Sequence, residues 1–594
     1  MFDTLIKSGT VVDGTGRPGF TADIGIRDGV IVHVGAGGGT AREIIDADGA
    51  TVTPGFVDIH THYDGQASWD ATFEPSVYHG VTTVVMGNCG VGFAPVHDHD
   101  HQRLIELMQG VEEIPGTALS EGIRWGWNSF TDYARTLDAM PHSIDFATLV
   151  PHDALRLYVM GDRAAEGQPA TDDDCARMRA LLHEAMRDGA VGFSTGRSDN
   201  HRTAHGEETP ASEADARELN ALAAAYEGLP YRVLHAVSDY DCIRATPDNE
   251  RALFDREYDL LEGMARVARR PMALTWLERI NAPRQHRWLA ERAEASRAAG
   301  LDVRLQTACR PVGILNGLDT SFNVLKSYPS YREIGRRPLA ERLEHLRDPA
   351  FRARLLAEKP VTLAQAGSAV PPLVDLVVAQ LDKTAEVMFP LTTGDGTLPD
   401  YEPDPSTSFA AQARARGVSA LEAIVDYLAS GDGTQLIYFP IFNYLGGSLE
   451  GLRHMIEHPQ ALFALGDGGA HVGTVCDASF QTTMLAHWVR DRSRGPRLTM
   501  ERAVEMMSAR NADHMGMADR GRLLVGKRAD VNVFDALRVA PLAPTIVRDL
   551  PAGGRRMMQK SRGMLATLVA GQAVTREGLL TDARPGRWVP GAAQ

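Results

Sequence analysis

The chain of 594 residues is 44% hydrophobic and 23% charged, the balance of a folded, water-soluble protein, and its length implies one large domain with attachments or two to three domains. Acidic residues (77) outnumber basic ones (61) for a formal charge of −16, which argues against nucleic acid and anionic membrane as partners, since both need a basic footprint. The five cysteines are odd in number and widely spaced, which excludes a disulfide framework and fits a reducing compartment.

In chain order, Met1-Phe-Asp-Thr-Leu-Ile-Lys7 has an early acid and no apolar export signal, and no later stretch approaches the ~20 apolar residues of a membrane span. A cytoplasmic protein is expected. Residues 2–53 run in short alternating segments, Thr10-Val-Val12 and Val30-Ile-Val-His-Val34 among them, parted by Asp-Gly and glycine-rich turns, which predicts strands and no helix. The far end repeats this texture in Ala529-Asp-Val-Asn-Val-Phe-Asp535 and Ala566-Thr-Leu-Val-Ala-Gly-Gln-Ala-Val574. Each end has too few strands for a core of its own, so the two are expected to pack together.

Between them, short apolar runs alternate with charged helical segments. Examples are Val81-Thr-Thr-Val-Val-Met86, the helix-like stretch 172–188 followed by Ala190-Val-Gly-Phe193, and the helix-like stretch 284–299 followed by Leu301-Asp-Val-Arg-Leu-Gln306. Such alternation over several hundred residues predicts an α/β fold, a parallel barrel of about eight units. The rival architecture, a doubly wound open sheet, is disfavoured because no phosphate-binding glycine fingerprint follows the first barrel strand. Residues 315–405, rich in Arg, Glu and Pro, break the alternation and read as an insertion over the barrel mouth.

Three loops carry candidate chemistry. Val52-Thr-Pro-Gly-Phe-Val-Asp-Ile-His-Thr-His62 is an apolar run ending in two histidines one residue apart. Residues two apart in a strand share a face, so His60 and His62 either aim their imidazoles at one metal ion from the strand's carboxyl end or form a partly exposed or hydrogen-bonded pair. Cys89, in Val84-Val-Met-Gly-Asn-Cys-Gly-Val-Gly92, lies just past another strand end. It is either a thiolate ligand or a small buried hydrophobe. Asp467, in Leu462-Phe-Ala-Leu-Gly-Asp-Gly-Gly-Ala-His471, closes a third apolar run. It is either a ligand that takes a proton from water or an Asp-Gly turn. All three sit at barrel strand ends, where active sites of that fold are found.

On these pieces the sequence resembles the amidohydrolase superfamily and, within it, the N-acyl-D-amino-acid deacylases (D-aminoacylase family), across nearly the whole chain. The matching segments include Gly9-Thr-Val-Val-Asp-Gly-Thr-Gly16, Pro54-Gly-Phe-Val-Asp-Ile-His-Thr-His-Tyr-Asp-Gly65, Gly189-Ala-Val-Gly-Phe-Ser-Thr-Gly196 and Asp467-Gly-Gly-Ala-His471, and Gly87-Asn-Cys-Gly90 is the element specific to the deacylases. The resemblance implies a (β/α)8 TIM-like barrel bearing zinc, one ion or two per chain, with a small β-sandwich built from both termini. The segments are then 1–54 and 521–594 for the sandwich, 55–314 and 406–520 for the barrel, and 315–405 for the insertion.

It further implies that His60, His62 and Asp467 share one metal position, with Asp467 as general base and acid, and that Cys89 is the family's cysteine ligand. His235 resembles one histidine of the second position. Where the other is expected, Ala273-Leu-Thr-Trp-Leu-Glu278 places Trp276, a departure that bears on the second metal and on the substrate. Candidate donors to the scissile carbonyl are His152, His201, His205 and His235, each of which could equally be a hydrogen-bonded loop or core residue. Arg310 or Arg197 could hold a substrate carboxylate, with His201 nearby.

The implied reaction is hydrolysis of a linear amide C–N bond, an N-acyl-D-amino acid giving a carboxylate and a free D-amino acid. Two alternatives stay open: another amide, cyclic or part of an acylated small molecule, and a non-catalytic scaffold that keeps the fold. The expected partner is the small-molecule substrate, and assembly into a homo-oligomer is left open.

Overall fold

The computed structural model describes residues 1–363, 372–392 and 398–592. Its centre is an eight-stranded parallel sheet in sequential order: β1 (Phe56–Asp58), β2 (Val81–Met86), β3 (Asp145–Pro151), β4 (Gly192–Arg197), β5 (Val233–Ser238), β6 (Met272–Thr275), β7 (Val303–Thr307) and β8 (Ala461–Phe463). Every residue of β1, β2 and β3 is buried, as expected where a parallel sheet is covered on both faces. Val84 and Val85 are both fully buried, and each contributes roughly 2 kcal/mol by leaving water.

The alternation read from the sequence gives real elements. The stretch 172–188 forms the helix Asp172–Arg187, whose start is fixed by a capping box between Thr171 and Asp174. The stretch 284–299 forms the helix Gln285–Ala298.

β8 and β1 meet at the seam of the barrel. Beyond the strand ends the His60 carbonyl accepts from the Asp467 N–H at 3.1 Å, and the His62 N–H donates to the Gly468 carbonyl at 2.7 Å. At the level of the strands themselves, the Asn511 side-chain amide donates to the Val57 carbonyl at 2.8 Å and to the Phe463 carbonyl at 2.7 Å. The seam is therefore closed by the same loops that carry the candidate ligands.

The chain ends pair in one nine-stranded sheet. Thr51–Pro54 lies antiparallel to Val531–Phe534, with Thr53 opposite Asn532, and this ladder joins amino-terminal to carboxyl-terminal strands. Ile6, Val11, Ile24, Val52, Val531 and Leu568 form its separate apolar core.

A third core joins Leu318, Leu325, Tyr331, Leu346, Phe409, Ile424 and Phe439. The helices Phe409–Arg416 and Ala420–Leu428 belong to it, so the inserted unit extends beyond residue 405 and the return to the barrel comes close to β8. Their apolar faces have partners in this core, which the local pattern of residues could not distinguish from a barrel face. Parts of the predicted insertion, 364–371 and 393–397, lie outside the described residues. Among the described residues no helix is long and apolar enough to cross a membrane.

Candidate metal centre

Four side chains converge at the carboxyl-terminal mouth of the barrel. The Cys89 Sγ lies 3.3 Å from His60 Nε2 and 3.7 Å from His62 Nε2. Asp467 Oδ1 lies 3.5 Å from His60 Nε2 and 3.8 Å from His62 Nε2. Ligand atoms on a tetrahedral zinc, at about 2.0–2.3 Å from the ion, are about 3.3–3.7 Å from one another, so these contacts have the spacing of a shared ion.

The backbone that presents Cys89 and Asp467 is unusual. Both occupy the left-handed region, at φ 55° and 44°, a conformation uncommon for residues with a Cβ and concentrated at functional sites. The Cys89 loop is also pressed against β4: a Cβ on Gly196 would stand 2.1 Å from the Cys89 carbonyl oxygen. Only glycine lets the strand pass that closely.

Each imidazole has a polar neighbour behind it. His60 Nδ1 is 2.7 Å from Gln306 Oε1 on β7. With the glutamine carbonyl accepting, the proton sits on Nδ1 and Nε2 is bare toward the cluster. His62 Nδ1 lies 3.1 Å from Glu112 Oε1, and Glu112 also faces His471, with Oε2 3.6 Å from its Nε2. Burial, followed by the neighbouring His60, His471 and His201, holds His62 well below the usual histidine pKa. It is thus neutral, the form that ligates.

The surroundings suit a cation. Burial pushes the Asp58 and Asp64 carboxyls up to about 7 and that of Asp153 up to about 8. Glu112 is driven well above the carboxylate range by burial and then by Asp467 and Asp64, and both of its buried oxygens lack hydrogen-bond donors. Burial and the same acids push the Cys89 thiol well up. Positive charge at the cluster would offset these penalties, and the nitrogen, sulfur and oxygen donors are those zinc prefers. The residues present therefore fit a divalent metal.

The other expected site residues are distributed unevenly. Burial, opposed by Asp239 and aided by the neighbouring His471 and His60, pushes His201 down to about 4, which places it near the cluster. His235 does not join the cluster: its Nδ1 faces Asn88 Oδ1 and Gln306 Nε2 at 3.1 and 3.2 Å, and its Nε2 faces His514. A ring with both nitrogens engaged inside the barrel has none left for the ion.

His152 is corrected in the same way. It is fully buried, with Nδ1 2.9 Å from Thr195 Oγ1 and Nε2 3.1 Å from Glu218 Oε1, so neither nitrogen faces a substrate carbonyl. Arg197 is spent on Glu257 and the Ala214 carbonyl. Arg310 is buried against Asp477 at 2.8 Å and over the Tyr401 ring at 3.8 Å. Neither guanidinium is free for a substrate carboxylate. His205 is exposed beside Glu106. Trp276 is buried at the end of β6 and donates through Nε1 to the His286 carbonyl at 2.7 Å, a packed structural role where a ligand was expected.

Gln306, Glu112 and His471 escaped the sequence reading. Gln306 left a trace, an uncharged polar residue inside an apolar strand. Glu112 ends the helix His101–Glu112 with no local mark of its role.

The chain is 28% identical over 569 residues to N-acyl-D-glutamate deacylase from Alcaligenes xylosoxydans xylosoxydans, covering 93% of this chain and 91% of that one. It is 38% identical over 196 residues to D-aminoacylase of the same organism, covering 33% and 38%. An uncharacterised protein of Mycobacterium tuberculosis is 28% identical over 608 residues, covering 97% and 92%. Among solved structures, N-acyl-D-glutamate deacylase from Bordetella bronchiseptica, complexed with zinc and a phosphonate inhibitor, superposes with a TM-score of 0.61 at 24% identity over 99% of both chains. The amidohydrolase family profile matches residues 43–575, and the chain belongs to the amidohydrolase family.

Proposed function

We propose that this protein is a zinc-dependent hydrolase that cleaves an N-acyl-D-amino acid to a carboxylate and a free D-amino acid. The observation that carries the reading is the convergence of His60 Nε2, His62 Nε2, Cys89 Sγ and Asp467 Oδ1 at one mouth of the barrel. His60, His62 and Cys89 would hold one ion. When bound there, zinc supplies Lewis acidity, activating water near neutral pH and polarising the scissile carbonyl.

The protein's own groups do the rest. Asp467 has 17% of its side chain exposed, against 3% for His60 and 1% for His62. It therefore faces the opening as well as the cluster, where a carboxylate can take a proton from water and pass it to the leaving nitrogen. Gln306 holds the His60 imidazole in orientation, and Glu112 stands beside that of His62. His201, beside the cluster, would donate to the substrate carbonyl. The acids around the cluster compensate the charge of the ion and raise the cost of losing it.

The likeness to N-acyl-D-glutamate deacylase over nearly the full chain supports the substrate class. A second reading, hydrolysis of a cyclic amide or another acylated small molecule, is favoured by Trp276 standing where the resemblance expects a histidine. The test is zinc analysis of purified protein, paired with amine release from N-acetyl-D-amino acids, their L forms and cyclic amides. Stoichiometric zinc with D-selective turnover is expected. Turnover of L or cyclic substrates alone overturns the deacylase assignment, and protein without stoichiometric metal or turnover is a scaffold.

A further inference from the structure

A column of polar side chains runs down the inside of the barrel, away from the metal centre. His60 Nδ1 meets Gln306 Oε1 at 2.7 Å, Gln306 Nε2 meets His235 Nδ1 at 3.2 Å, and His235 Nε2 meets His514 Nε2 at 3.2 Å. The last two rings lie end to end: their planes are 14° apart and their centroids 5.4 Å apart, while the facing nitrogens are much closer.

His514 ends the column at the opposite mouth. There it lines a cavity of about 410 Å³ with Asp302, Arg304, Arg510 and Asp513. The proposed reaction uses neither His235 nor His514, yet both are buried.

We propose that His235 and His514 are positioning residues that, through Gln306, determine which nitrogen of His60 faces Cys89 and Asp467. The inference rests on the reading of His60, His62 and Cys89 as metal ligands.

Hydrogen-bond direction makes the argument. Burial, then the neighbouring His514 and His60, keeps His235 well below the usual histidine pKa. Burial and Arg304, opposed by Asp302, push His514 down to about 4. Each ring is therefore neutral and carries one proton, so each is a donor at one nitrogen and an acceptor at the other.

When His514 Nε2 accepts, His235 must carry its proton on Nε2, leaving Nδ1 to accept from the Gln306 amide. The glutamine carbonyl then turns to His60 and accepts from its Nδ1–H, which leaves His60 Nε2 bare for a metal. When His514 Nε2 carries a proton instead, every direction reverses. His235 then donates from Nδ1 to Asn88 Oδ1, which stands ready at 3.1 Å. Asn88 cannot turn away without loss, because its amide donates to the Val85 and Thr61 carbonyls at 2.9 and 3.3 Å.

In that reversed state Gln306 presents its amide to His60, the His60 proton moves to Nε2, and the lone pair needed for ligation is gone. Asn88 and Gln306 thus compete for one nitrogen of His235. His514, open to the far cavity, decides between them.

The test compares zinc dissociation constants, by chelator competition, for the parent, Gln306→Leu, His514→Leu and His514→Gln, with thermal melts alongside. Loss of an outer partner of a ligating histidine typically costs about 10–100-fold in metal affinity. Gln306→Leu and His514→Leu should each lose zinc affinity in that range, and His514→Gln, whose carbonyl can still accept from His235, should return to within about threefold of the parent.

Parent-like zinc affinity in folded His514→Leu or folded Gln306→Leu overturns the proposal. So does a His514→Gln variant as weak as His514→Leu, since that pattern marks packing. His60→Ala separates the two layers of inference: if it keeps parent affinity, or the parent holds no zinc, the metal-centre reading fails. If only His60→Ala loses zinc, that reading stands and the column has no positioning role.

Discussion

Adding one methyl group to Gly196 should disable the proposed metal centre without replacing a ligand. The Cβ of Gly196→Ala would lie 2.1 Å from the Cys89 carbonyl oxygen and 3.1 Å from its carbon. A carbon and a carbonyl oxygen settle at about 3.3 Å or more, so one of the two backbones must move by roughly 1.2 Å. β4 is hydrogen-bonded between β3 and β5, whereas Cys89 sits on a left-handed loop, so the loop is the part that yields.

Metal sites tolerate ligand errors of about 0.2 Å, and misplacement by about 1 Å at an active site costs on the order of 100-fold in rate. Overpacking itself costs about 1–3 kcal/mol, which a barrel of this size survives. The expectation is a folded protein with a slightly lower Tm, zinc affinity reduced at least tenfold and amine release down by on the order of 100-fold. Chelator competition, steady-state turnover and a thermal melt read the three quantities. Parent-like zinc affinity and turnover in folded Gly196→Ala would refute the reasoning that ties the Cys89 loop to β4.

Three further outcomes are expected. Cys89→Ala should lower zinc stoichiometry and reduce turnover by orders of magnitude at little cost in Tm, because the thiol contributes little packing; turnover near the parent level removes Cys89 from the site. Arg520 is buried between Asp145 at 2.6 Å and Asp519 at 2.9 Å, so Arg520→Met should destabilise the barrel by about 3 kcal/mol, the low end for a broken buried pair because Asp145 keeps Arg528. An unchanged urea midpoint contradicts this.

The last outcome concerns pH. Against the upward push of burial, His487 and Arg492 hold Glu402 down to about 2. A depressed folded pKa stabilises above the unfolded value of about 4.3 and loses that contribution as pH falls toward 2. Glu402→Gln should therefore be less stable than the parent at pH 7, by on the order of 3 kcal/mol. The gap should narrow below about pH 4.5. A gap independent of pH across that range rules out the ion pair as its source.

Features that depend on near neighbours were legible in the sequence. The period-two spacing of His60 and His62, the apolar runs ending at Cys89 and Asp467, and the alternation of strands with capped helices are all local patterns. A local pattern survives folding wherever the tertiary contacts agree with it. These were enough for the barrel, the pairing of the chain ends and the candidate ligands His60, His62, Cys89 and Asp467, which the fold brings together.

The tertiary structure decided what each polar group meets. His60 is oriented by a glutamine 246 residues away, and His235 and His514 face each other across 279. His152, Arg197 and Arg310 looked available because their partners Glu218, Glu257 and Asp477 are invisible as partners until the chain is folded. A side chain's chemistry is written in its type, but whether a nitrogen or guanidinium remains free depends on hydrogen bonds that must be satisfied once water is excluded. Only the packed barrel shows which of them are already taken.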